Sequence, residues 1–150
     1  MSNELAKADV NTNELAKANV NTMLAQDAGT TYCSIEIDPT DRKSAARVFD
    51  ALNNPTHNVA DFINKTIPVA NVLIEVAEMT NEDTGEITKA PRVVLIDADG
   101  NSYQAVSIGM FNAVKNAFRC FGAAPWEPVL MFDIKQKAVK NGSMLTANVH

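Results

Sequence analysis

Between Thr31 and Ile37 the chain alternates, with Cys33, Ile35 and Ile37 on one side and Tyr32, Ser34 and Glu36 on the other. That period of two predicts a half-buried strand. Asp38 and Pro39 then suit a helix start, and Ala45, Val48, Phe49 and Leu52 fall on one helical face until Asn53, Asn54 and Pro55 stop it. The stretch 59–68 is ambiguous between periods, and Pro68 breaks it. Residues 69–79 are β-branched and strand-like, 80–91 form a polar turn region, and 92–96 read as a further strand. Asp97 to Asn101 is a turn cluster leading into a short strand at 102–107. Ile108, Phe111, Val114, Phe118 and Phe121 recur at helical spacing, and Gly122 and Pro125 end that helix. Residues 129–139 alternate again, with Leu130, Phe132 and Ile134 opposite Asp133, Lys135 and Lys137. Asn141-Gly142 offers a tight hairpin turn into a last strand at 143–149. About six strands and two helices follow, a mainly β or α+β class. Hairpins dominate the second half, which points to an antiparallel sheet or a small barrel.

The first residues behave differently. Residues 3–12 and 13–22 are the same decamer, differing only in Asp9 against Asn19. Ten residues at about 100° each leave successive copies about 80° out of phase, so no straight helical stripe forms. Two copies are also fewer than the three that a stacked repeat core requires. Residues 1–29 therefore read as a flexible extension outside a folded domain at 30–150. The functional reading of the repeat is an arm for homo-oligomerisation or tethering.

Charge changes the picture by its position. The net value of −5 argues against a broad polybasic surface. Residues 1–100 carry 8 basic and 16 acidic side chains, whereas residues 101–150 carry 5 basic and 2 acidic. The last third is thus a basic region on an acidic protein, a hint of a polyanion-facing surface. No apolar run approaches the roughly 18 residues of a membrane helix. The opening residues lack the apolar core of a signal peptide. Cys33 and Cys120 are widely separated and read as reduced thiols of a cytoplasmic protein.

Catalysis finds little to stand on. His57 and His150 have no partner at metal-binding or triad spacing and read as incidental surface residues. Asp97-Ala98-Asp99-Gly100 resembles the opening of a calcium loop, but Ile108 occupies the position of the bidentate glutamate. No phosphate loop or dinucleotide fingerprint is present. The expectation is a non-enzyme without metal or cofactor. Single-strand binding instead needs cations for phosphates and flat side chains for bases. Of nine aromatics, Phe49, Phe111, Phe118 and Phe132 lie on apolar faces and read as core. Tyr32 and Tyr103 fall on the less apolar side of their strands, and Trp126 sits in a proline-bounded loop. These three are the stacking candidates. Arg92, Lys135, Lys137 and Lys140 are the cations near them, and Lys135 and Lys137 share one strand face.

The "TGE" turn at 84–86, "APRVVLIDADG" at 90–100, Tyr103 followed by "AVSIGMF" within 103–111, "FG" at 121–122 and "WEP" at 126–128 precede a hairpin built on "NG". This order resembles the small single-stranded DNA-binding proteins of bacteriophages of Gram-positive hosts. The resemblance covers residues 70–149 and, in part, 30–69. It implies an OB-like antiparallel barrel that coats displaced single strands during phage DNA replication, in the host cytoplasm and without strong sequence preference. At the matched positions, side-chain chemistry points to Tyr103, Trp126 and Tyr32 for stacking, with Arg92, Lys135, Lys137 and Lys140 on phosphates. The competing reading is a non-enzymatic phage assembly or protein–protein module using the N-terminal repeat and Trp126.

Overall fold

The computed structural model describes residues 31–35, 38, 40–140 and 142–150. The duplicated decamers, the oligomerisation arm expected there and Asn141 of the last turn lie outside the described residues. In chain order the elements are β1 (Thr31–Cys33), α1 (Arg42–Asn53), β2 (His57–Asn58), a single 3-10 turn (Val59–Phe62) and β3 (Thr66–Val69). They continue with β4 (Asn71–Thr80), β5 (Ile87–Ile96), β6 (Ser102–Val106), α2 (Ile108–Phe121), β7 (Leu130–Val139) and β8 (Gly142–Val149). The described residues are mainly β with two helices.

The described strands form two open sheets, one of five strands in the order β1-β4-β5-β6-β2 and one of three in the order β3-β7-β8. All pairings are antiparallel except that β2 runs parallel to β6. One face of the larger sheet presents Val72, Ile74, Val76, Val93, Leu95, Tyr103 and Ala105. It shares a core with Phe132 and Ile134 of the smaller sheet and with Met110, Phe111, Val114, Ala117 and Phe118 of α2. The opposite face buries Leu73, Val94 and Ile96 under Val48 and Ala51 of α1.

Two strands go beyond the hydrophobic pattern, and both carry a proline. β3 contains Pro68, which is tolerated because β3 is an edge strand, with β7 as its only neighbour among the described strands. The apolar run at 69–79 is thereby split between sheets, with Val69 ending β3 and Asn71 starting β4. β5 begins five residues before Arg92 and runs through Pro91. Pro91 lies one residue outside the β5–β6 ladder, whose last pair is Arg92 with Val106, so its missing N–H breaks no rung there.

Both helices begin at capped residues, α1 at Arg42 behind Asp41 rather than at the Asp38-Pro39 start that the sequence suggests. Asp41 accepts a hydrogen bond from the Lys43 N–H, and the Ser107 hydroxyl accepts one from the Met110 N–H. Two readings of their faces are corrected. Phe49 is 60% exposed rather than core, because the buried stripe of α1 centres on Val48 and Ala51. In α2 the stripe is Met110, Phe111, Val114, Ala117 and Phe118, while Ile108 and Phe121 at its ends are exposed.

Candidate functional site

Tyr103 points into the shared core because it pairs with Leu95 on the inner face of the larger sheet, and it is only 6% exposed. Its hydroxyl donates to Asp97 Oδ2 at 2.9 Å. Burial first, then the Asp97 carboxylate, push the phenol up to about 12. Trp126 is likewise 6% exposed, between the rings of Phe118 and Phe132. Its Nε1–H donates to the Gly122 carbonyl, and its backbone N–H to that of Ala70. A base would have to displace protein to reach either ring. Tyr32 is half-buried and meets Phe118 edge-on, with burial raising its phenol to about 12.

Arg92 has an internal task. Its Nη1 donates to Glu75 at 3.0 Å, Nη2 to the Leu52 carbonyl at 2.7 Å, and Nε and Nη2 both reach Gln104 Oε1. A guanidinium at the C-terminal end of α1 satisfies a carbonyl left open there. These bonds tie α1, β4 and β6 together, and the side chain is only 12% exposed. Its donors already have protein partners.

The three lysines lie elsewhere. Lys135 and Lys137 are exposed on one face of β7, opposite Thr146 and Met144, and Lys140 is exposed where that hairpin ends. Among the described strands, β7 from Lys135 onward pairs only with β8, since β3 reaches no further than Asp133. The hairpin is an arm that carries Lys135 and Lys137 on one exposed face.

The structure brings together a group that the local sequence pattern did not single out. His57 pairs with Tyr103 across the parallel β2–β6 contact, and the two rings stack with centroids 5.0 Å apart and planes 23° from parallel. Phe62, on the 3-10 turn, meets both rings edge-on at 5.0–5.3 Å. Lys65 holds its ammonium 5.6 Å from the Phe62 ring centroid. His57 and Lys65 are exposed, Phe62 is half-buried and Tyr103 forms the buried base of the stack. The cluster adjoins the arm: Asn64 N–H donates to the Ile134 carbonyl, and Ile134 N–H donates to that of Lys65, one residue before Lys135. His57 and Tyr103 are far apart in sequence, joined by a two-residue strand too short to leave a period. Only the Phe62–Lys65 spacing was visible as an i, i+3 pair.

Asp97 is buried and accepts four hydrogen bonds: from the N–H groups of Asp99 and Asn101, the Asn101 amide and the Tyr103 hydroxyl. Burial pushes its carboxyl up, but those bonds outweigh it and hold the group below 3.8. It anchors the β5–β6 turn. Among the described residues no group of three His, Cys, Asp or Glu side chains could hold a metal ion. Nor is any described helix long and apolar enough to cross a membrane.

An exposed imidazole stacked on a buried phenol, a neighbouring phenyl edge and adjacent ammonium groups can receive a flat ring and an anionic backbone together. Among known families, the one described as phage single-stranded DNA-binding protein matches this chain over residues 27–150. No curated protein and no solved structure gives a significant match.

Proposed function

The chain belongs to the phage single-stranded DNA-binding proteins, and from that premise we propose that it grips the strand at the rim formed by His57, Phe62 and Lys65. A base stacks on the His57 ring, continuing the stack that Tyr103 begins inside the protein, and Phe62 walls the site. Lys65 and the arm lysines Lys135, Lys137 and Lys140 neutralise successive phosphates. Stacking and charge are both indifferent to base identity, so binding is without strong sequence preference. The biological role is to coat displaced single strands during phage DNA replication, in the host cytoplasm and without catalysis.

The observation that carries this reading is the near-parallel His57–Tyr103 ring pair, with one member exposed and the other buried. A pre-ordered platform costs little entropy when a base lands on it. Titration of end-labelled oligo-dT, followed by anisotropy, tests it. His57→Ala and Phe62→Leu, the second keeping apolar volume for the core, each weaken binding about tenfold. Unchanged affinity in both variants would refute the assignment of the rim.

A further inference from the structure

α1 has two unlike flanks beside its buried stripe. Arg47, Asp50 and Asn54 line a groove against Asp99 and Gly100 of the β5–β6 turn and Ser102 of β6. The other flank carries Phe49, 60% exposed, with exposed Arg42, Ala46 and Asn53 around it. A single exposed ring is common on protein surfaces, and what sets this one apart is the charge of the helix that carries it. The helix is the basic island of the acidic part of the chain, with Arg42, Lys43 and Arg47 against Asp50 alone. Arg42 and Phe49 stand two turns, about 10 Å, apart along the same side of the helix.

The two places are close along a fixed path. Helical residues 50–53 and link residues 54–56 separate Phe49 from His57, so their Cα atoms lie within about 20 Å. Thr56 pins that link, donating through its N–H and hydroxyl to Ser102 and accepting from the Ser102 N–H. We propose that Phe49 and Arg42 form a second contact for the same single strand, which passes around the β2 edge of the larger sheet to reach it. This extension rests on the His57 rim as the first contact. The span fits within a site of about 4–16 nucleotides. A second copy of the chain suits this flank less well. A stable interface buries about 800 Å² per partner around a continuous apolar centre, whereas Phe49 is one ring among Arg42, Ala46 and Asn53.

The test is a length series of labelled oligo-dT, from about 4 to about 16 nucleotides, titrated with the full chain. Phe49→Ala should bind the shortest oligomers like the wild type and the longest about tenfold more weakly. Arg42→Ala should lower the salt slope on long oligomers by about 0.7. Full affinity of Phe49→Ala at every length would overturn the proposal, as would an equal loss at every length. So would a changed sedimentation profile with DNA affinity intact, which would assign the flank to self-association. His57→Ala in the same series should lose affinity at all lengths. Absence of that loss would sink the rim itself, independently of the Phe49 result.

Discussion

Asp97 shows how one side chain can hold the rim's foundation. Its carboxylate orients the Tyr103 hydroxyl, and Tyr103 is the floor on which His57 stacks. Because the folded carboxyl sits below 3.8, the group stabilises the protein fully above that value, and the contribution is lost as pH falls through the lowered folded value. Asp97→Asn should therefore cost about 2 kcal/mol at neutral pH. The gap in melting temperature from the wild type should narrow as pH drops below 3.8, which thermal melts across a pH series would reveal. A constant gap would mean that the charge is irrelevant. At this scale the sequence was a partial guide. It marked Tyr103, Trp126 and Arg92 as chemically suited to DNA, and that chemistry serves the interior: a phenol on a carboxylate, an indole on a carbonyl, a guanidinium on three elements. Residue type announces an ability to stack or to pair with an anion. It does not announce which neighbour arrives from far along the chain to use it.

Elements with a long period were the legible ones. The alternation in β7 and the helical recurrence in α2 were visible because one face of each is buried over several turns or rungs. β2 and β3 were hidden because two and four residues are held by pairing with distant strands rather than by their own pattern. Gly109 records another non-local constraint. A Cβ there would overlap the Leu145 carbonyl oxygen and stand 2.7 Å from Met144 Cγ, so α2 lies against β8 only because this residue has no side chain. Although alanine is the better helix former, Gly109→Ala should destabilise the fold by about 1–3 kcal/mol, since backbone cannot step aside. Chemical denaturation would measure it, and a neutral or stabilised variant would contradict the close packing.

Among the described residues, the cations proposed to meet DNA fall into two groups. The arm hairpin and Lys65 flank the ring cluster on one side, and α1 with its cations covers the opposite face of the larger sheet. Replacing Lys135, Lys137 and Lys140 together by alanine should flatten the dependence of log affinity on log salt by about 2, near 0.7 for each phosphate that no longer meets a lysine. A slope equal to that of the wild type would detach the arm from the DNA path. The most direct measurement is photo-crosslinking of the full chain to an oligo-dT carrying 5-iodouracil, with the adducts mapped by mass spectrometry. Adducts on His57 and Phe62 are the predicted result. Adducts on Trp126 or Tyr103, with His57 and Phe62 unmodified, would contradict the account.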